Sequence, residues 1–132
     1  MGRTNGARAP RDTQGTLTAR ADRAFSALIR ERGFCQAAGL DDTACRGGLQ
    51  CAHIVTRKNY AVRWDTLNAL CLCEAHHLYY THRGRDLEWP LLVQKILPQA
   101  RFMELVYAAR APWDGSREIR THTLAYPEPV SR

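Results

Sequence analysis

The sequence contains no apolar run that is long enough to cross a membrane. A transmembrane helix requires about 18 or more consecutive apolar residues, and none of the 132 positions begins such a run. The N-terminal segment also lacks the apolar core of a secretory signal. We therefore expect a cytoplasmic protein that does not bind membranes.

Acidic residues are scarce relative to basic ones. The chain has 13 Asp and Glu against 19 Lys and Arg, which gives a formal net charge of +6 and a pI near 9.4. An excess of positive charge attracts polyanions, so nucleic acid is the first partner to consider, with DNA as the expected form. A chain of 132 residues fits one domain.

The five cysteines are an odd number, and no signal directs them to an oxidising compartment. Three of them, together with four of the five histidines, lie between Cys51 and His82. In a cytosolic chain, clustered Cys and His more often bind metal than form disulfides. The composition therefore indicates a reduced, metal-binding protein.

Composition and periodicity divide the chain into three parts. Residues 1–15 are rich in Arg, Gly and Pro and predict a flexible basic arm. Residues 16–111 carry the periodic apolar patterns and predict the folded domain. Residues 112–132 contain three prolines and little periodicity, which predicts an extended tail.

The folded part predicts an α+β domain. A helix is expected over 18–32 with Thr18 as its cap, and two C-terminal helices are expected within 86–110. Asp86 is the predicted cap of the first of these two, and Pro98 is predicted in the first turn of the second. Between them the pattern predicts a strand, a long connection, a second strand and a helix, over 49–55, 56–66, 68–73 and 74–84.

A structural zinc site is predicted at the junction of the second strand and the following helix. Cys73 and His76 have the spacing of a metal knuckle, and structural zinc takes four Cys or His ligands, usually as two close pairs. Cys35 and Cys45, which bracket a loop rich in turn residues, are the predicted second pair. Cys51 is the alternative to Cys45. A loop-rich domain of this size needs such a crosslink. The remaining cysteine, Cys71, is expected to be a buried free thiol.

His53, Asn68 and His77 occur in the order H-x14-N-x8-H, overlapping the knuckle. With the strand–connection–strand–helix order, this pattern resembles the HNH endonucleases, which have a ββα-metal fold. The resemblance spans residues 35–83 and is closest to phage-encoded proteins of the form C-x-H-I…R-W-D…N…C-x2-[CH]-H. It implies a small zinc-stapled ββα-metal motif flanked by N- and C-terminal helices.

The resemblance also implies roles for these residues in hydrolysing DNA phosphodiester bonds. His53 would be the general base, and imidazole suits this role because its neutral form is available near pH 7. Asn68 would hold the connection so that the base is oriented. His77 would bind one catalytic divalent cation, Mg²⁺, Mn²⁺ or Ni²⁺, with His82 as a second ligand and Thr81 as a weaker alternative.

One position departs from the family pattern. Many HNH enzymes have a metal-binding Asp or His directly before the base, where this chain has Ala52. Two alternatives therefore stand beside the nuclease. The chain could be a zinc-stapled nucleic-acid-binding protein with weak catalysis, or an accessory subunit of a phage DNA-packaging or recombination complex. A phage-encoded protein would act in the host cytoplasm.

The connection between the strands carries the predicted DNA contacts. Arg57, Lys58 and Arg63 are interleaved with aromatic residues, a composition that suits phosphate contact beside a cleft. An alternative for Arg63 is an ion pair with Asp65. Trp64 is expected in the core rather than on the nucleic acid.

Overall fold

The computed structural model describes residues 13–81 and 85–112, which form four α-helices and one two-stranded antiparallel sheet. The predicted α+β class is confirmed. Most of the predicted arm, nearly all of the predicted tail, and His82 lie outside the described residues. Within them, no helix is long and apolar enough to cross a membrane. The elements are α1 Gln14–Arg30, β1 Leu49–His53, β2 Ala69–Cys73, α2 Glu74–Thr81, α3 Glu88–Ile96 and α4 Gln99–Ala109.

Helix α1 begins four residues earlier than predicted. Thr13, not Thr18, is its N-cap: the Thr13 backbone is extended, and its hydroxyl oxygen accepts a hydrogen bond from the Thr16 amide at 3.1 Å. Both threonines are suitable caps by residue type. Because glycine has a low helix propensity, Gly15 made a helical turn before Thr18 hard to predict. The helix ends at Arg30, and Gly33 follows with a positive φ of 84°.

The two strands pair from Leu49 with Cys73 to His53 with Ala69. Because neighbouring side chains on a strand point to opposite faces, the sheet contributes to two apolar clusters. The first cluster lies against α2 and α3 and contains Ala52, Leu70, Leu72, Leu92 and Val93, among others. The second lies against α1 and contains Phe25, Ile29, Trp64, Ala69 and Cys71, among others. The core position predicted for Trp64 and the burial predicted for Cys71 are both confirmed.

Arg32 ties the end of α1 to the start of β2. Its guanidinium donates to the carbonyl oxygens of Ala69 at 2.8 Å and Thr66 at 2.9 Å. It also donates to the side-chain oxygen of Gln36 at 2.8 Å, and that oxygen accepts from the Cys71 amide. This network fixes the entry to the loop that carries Cys35.

The loop re-enters the fold beside α2 at Gly47. The φ of Gly47 is 82°, and a Cβ at this position would lie 2.5 Å from the Cβ of Glu74, so only glycine fits. The adjoining Arg46 carbonyl accepts a hydrogen bond from the Ala75 amide at 3.0 Å. The loop is therefore closed directly against the first turn of α2.

The C-terminal helices follow the predicted order with different first residues. Asp86 is not the cap of α3: Leu87 occupies that position and makes no side-chain cap bond. Pro98 is the N-cap residue of α4 rather than part of its first turn. The Ala109 carbonyl at the end of α4 accepts from the side-chain amide of Asn59 at 2.9 Å, which joins α4 to the connection between the strands.

We expect the sheet to dominate stability. Replacing Leu70, which is fully buried, with Ala should lower the free energy of unfolding by about 2–5 kcal/mol, because the lost contacts leave a cavity. The matched control is Leu91→Ala on α3, where the side chain is 59% exposed and the cost should stay within about 0.5 kcal/mol. Urea denaturation measures the free energy of unfolding of both variants. Equal costs would contradict the assigned core.

Candidate metal centre and histidine cleft

Four side chains converge where the loop, β2 and α2 meet: Cys35, Cys45, Cys73 and His76. Their ligand atoms all lie within 4.8 Å of one another. The Nδ1 atom of His76 is 3.5, 3.6 and 3.2 Å from the three sulfurs in that order. A tetrahedral zinc with ordinary bond lengths separates nitrogen and sulfur ligands by about 3.5 Å. The cluster can hold a metal ion, and its donors fit structural zinc.

The choice between Cys45 and Cys51 is decided by the fold. Cys45 lies in the loop, with its sulfur 3.6 Å from His76 Nδ1. Cys51 lies on β1 opposite Cys71 and packs against the α1 cluster. The cluster that can hold a metal ion therefore consists of the four residues that the sequence predicted as ligands.

Asp41, which is not among the residues predicted from the sequence, fixes the orientation of His76. The Nε2–H group of His76 donates to Asp41 Oδ1 at 3.0 Å, and the Tyr80 hydroxyl donates to the other carboxylate oxygen. The proton on Nε2 leaves the lone pair on Nδ1, the atom that lies among the sulfurs. The position of Asp41 between the two loop cysteines was the available sequence signal.

The electrostatics of Cys73 favour the thiolate that a metal requires. Burial raises the pKa of the Cys73 thiol, but the backbone hydrogen bonds from His76 and Arg46, together with the side-chain contacts to His76 and Cys35, lower it by more, so that the pKa falls to about 6. The His76 amide makes its bond to the sulfur at 3.4 Å. Thiolate is the metal-binding form of cysteine.

A separate cleft of about 330 Å³ lies along β1. Helix α1, strand β1, the connection and helix α2 all contribute to its wall. Two of the predicted catalytic residues, His53 and His77, both line this cleft. The lining residues are Asp22, Ser26, Cys51, His53, Arg57 and His77.

The His53 ring is held by a backbone carbonyl. Its Nε2–H group donates to the Arg63 oxygen at 2.8 Å, and the ring packs on Phe25 with centroids 5.4 Å apart. A neutral imidazole with its proton on Nε2 has its lone pair on Nδ1. Burial lowers the pKa of His53 from its ordinary value, so the ring is neutral near pH 7.

Asn68 is fully buried and holds the connection that supplies this carbonyl. Its side-chain NH₂ donates to the carbonyls of Val55 and Val62, both at 3.0 Å, and its oxygen accepts from the Val55 amide at 2.6 Å. Val62 directly precedes Arg63. Asn68 therefore closes the loop on which the orientation of His53 depends.

His77 takes the opposite tautomer to His53. Its Nδ1–H group donates to Gln50 Oε1 at 2.5 Å, which places the ring lone pair on Nε2. The Thr81 hydroxyl donates to the His77 carbonyl at 2.6 Å. Ala52 is fully buried on the other face of β1, so residue 52 does not reach the cleft. Gln50 carried no motif signal in the sequence.

The three predicted DNA contacts have different surroundings. The Arg63 guanidinium is bound to both carboxylate oxygens of Asp22, at 3.0 and 2.7 Å. The alternative partner, Asp65, instead accepts from the Leu67 amide at 2.9 Å, so the Arg63–Asp65 pair is wrong. Arg57 and Lys58 are exposed, and Arg57 lies 3.5 Å from Asp22. Asp22 was missed because nothing local relates α1 to residue 63.

The cluster predicts which cysteine substitution should lower the zinc content of the protein. Purified protein should contain about one zinc per chain, and Cys45→Ala should lower this content because one of four ligands is lost. Cys51→Ala is the matched control and should keep its zinc. Metal analysis by mass spectrometry distinguishes them. Zinc-free folded protein, or equal loss in both variants, would contradict the site.

Comparisons of the chain with protein-family models, with curated proteins and with solved structures found no match.

Proposed function

We propose that this chain is a metal-dependent endonuclease of the HNH type that hydrolyses DNA phosphodiester bonds. The observation that carries the proposal is the state of the His53 side chain. Its ring is neutral near pH 7, donates from Nε2 to a backbone carbonyl, and lines a cleft together with His77. The order β1, connection, β2, α2 is that of a ββα-metal motif, and the four-ligand cluster fits its zinc staple.

Phosphodiester hydrolysis requires an activated water, a cation on the phosphate oxygens and stabilisation of the leaving group. In the proposal, His53 Nδ1 accepts the proton of the attacking water. His77 would hold the divalent cation, Mg²⁺, Mn²⁺ or Ni²⁺, through Nε2, and His82 is the expected second ligand. When bound, the cation neutralises charge on the phosphate and stabilises the departing oxygen.

The rigidity of the base supports this assignment. Misplacing a catalytic group by about 1 Å can reduce a rate by about 100-fold. Asn68 makes three side-chain hydrogen bonds to the connection, and the base is attached to the same connection through Arg63. Asn68 thus acts in the proposal by holding the loop rather than by touching substrate.

Arg57 and Lys58 are the proposed phosphate contacts. Both are exposed on the connection, and Arg57 also lines the cleft. Such contacts position a nucleic acid without reading its sequence. Arg63, whose guanidinium is bound to Asp22, contributes to the same surface by fixing the connection.

One observation favours a second function. The Ala52 methyl group has no donor atom and is buried in the core, so a cation in the cleft would lack the ligand that many HNH enzymes supply from this position. The alternative is a zinc-stapled nucleic-acid-binding protein with weak catalysis, acting alone or as a subunit of a phage packaging or recombination complex. It predicts salt-sensitive DNA binding with little or no strand breakage in any divalent cation.

Removing the base should abolish cleavage. We expect purified protein to nick supercoiled plasmid with Mg²⁺, Mn²⁺ or Ni²⁺, and His53→Ala to be slower by about 100- to 10,000-fold, the usual contribution of a general base. Gel electrophoresis of the plasmid measures the rate. Zinc content and circular dichroism of the variant should be unchanged, because His53 is not a zinc ligand.

Cleavage at the wild-type rate by His53→Ala would refute the mechanism, and absence of cleavage in every cation would favour the binding protein. The pH profile gives a further check. The base works when His53 is neutral, and its lowered pKa extends the neutral form below the ordinary value of 6.5. The rate should therefore hold as the pH falls to about 6.5 and decline only at lower pH.

The contribution of Arg57 to DNA binding should depend on salt. Each lost phosphate contact makes the slope of the logarithm of the DNA association constant against the logarithm of salt concentration shallower by about 1. Arg57→Ala and Lys58→Ala should each reduce the slope by this amount, whichever DNA sequence is used. Arg101→Ala is the matched control, because Arg101 on α4 is exposed and pairs with Glu104. Fluorescence anisotropy measures the slopes. Equal slopes for all three variants would contradict the assigned surface.

A further inference from the structure

Asp22 on α1 binds three side chains of the connection. Its carboxylate accepts two bonds from Arg63, at 3.0 and 2.7 Å, and one from the Trp64 indole nitrogen at 3.0 Å. Arg57 Nη1 lies 3.5 Å from the same carboxylate. Asp22 also lines the cleft. Paired guanidinium–carboxylate bonds of this kind fix both distance and orientation.

The bonds to Asp22 act on one peptide unit. The carbonyl that holds His53 belongs to the peptide between Arg63 and Trp64, and both flanking side chains are bound to Asp22. The Arg63 guanidinium is fixed further by the Arg57 carbonyl at 3.1 Å and by the Tyr60 ring, whose centroid is 4.7 Å away. This carbonyl therefore has little freedom to move while Asp22 stays in place.

We propose that Asp22 is a positioning residue for the His53 base, acting through Arg63 and Trp64, so that α1 is part of the catalytic apparatus. The proposal rests on the proposed nuclease function and deepens it. The HNH-like pattern covers only residues 35–83, so Asp22 lies outside the stretch that resembles the motif.

The charges around His53 predict an effect on its pKa that can be measured separately from DNA cleavage. Asp22 faces it from α1, Arg57 and Arg63 from the connection, Cys51 from β1 and His77 from α2. The carboxylate of Asp22 is the anion of this set. Neutralising it leaves two guanidinium groups uncompensated, which disfavours the protonated imidazole. The pKa of His53 should then fall further below its ordinary value.

The test is Asp22→Asn, which keeps the side-chain shape and removes the charge. In zinc-loaded full-length protein without added divalent cation, NMR titration should show a lower pKa for His53 than in the wild type. In plasmid nicking, kcat should fall by about 10- to 100-fold with KM nearly unchanged. The matched control is Asp86→Asn, an exposed carboxylate that does not line the cleft, which should change neither quantity.

A His53 titration and kcat that stay unchanged in folded Asp22→Asn would overturn the positioning role. Wild-type protein that cuts no DNA would instead overturn the nuclease, and the NMR titration would still report on Asp22. If Asp22→Asn does not fold, Arg63→Lys tests the same link, because lysine keeps the charge but loses the two-point contact. A fall in kcat at constant KM supports the proposal, and wild-type kcat overturns it.

Discussion

A hydrogen bond at one ring nitrogen determines what each histidine of the two sites can do. His76 donates from Nε2 to Asp41, His53 from Nε2 to a backbone carbonyl, and His77 from Nδ1 to Gln50. In each case the partner atom is an acceptor, so the proton is placed on one nitrogen and the lone pair on the other. Metal binding at the cluster and the proposed chemistry of the cleft both depend on these three assignments, since only a nitrogen with a free lone pair can bind a metal or accept a proton.

Helix α2 connects the two sites. His76 and His77 are adjacent, and adjacent helical side chains point about 100° apart, so one faces the sulfur cluster and the other faces the cleft. The loop from Cys35 to Gly47 contacts α2 through the Arg46 carbonyl, which accepts from the Ala75 amide, and through the cluster of three cysteines and His76. A metal bound there would hold α2 against β2, and thereby keep His77 in the wall of the cleft that His53 also lines.

The connection between the strands carries most of the remaining organisation. Asn68 donates to its Val62 carbonyl, Asp22 on α1 accepts from its Arg63 side chain, and its own Asn59 donates to the last turn of α4. A long loop without such contacts would be mobile, and a base fixed to it would not keep one orientation. The predicted role of Asn68 as the residue that holds this loop agrees with its three side-chain bonds, although its catalytic consequence stays a prediction.

The sequence by itself determined what depends on local spacing and residue type. The helices and strands in their order, the knuckle at Cys73 and His76, and the buried Trp64 follow from periodicity, turn residues and short motifs. Tertiary structure decided three features that involve distant segments: Cys45 rather than Cys51 lies in the candidate metal cluster, Asp22 rather than Asp65 is the partner of Arg63, and residue 52 is buried. These contacts depend on strand register and on the packing of α1, and the residues involved are more than ten positions apart in sequence, where no spacing rule operates.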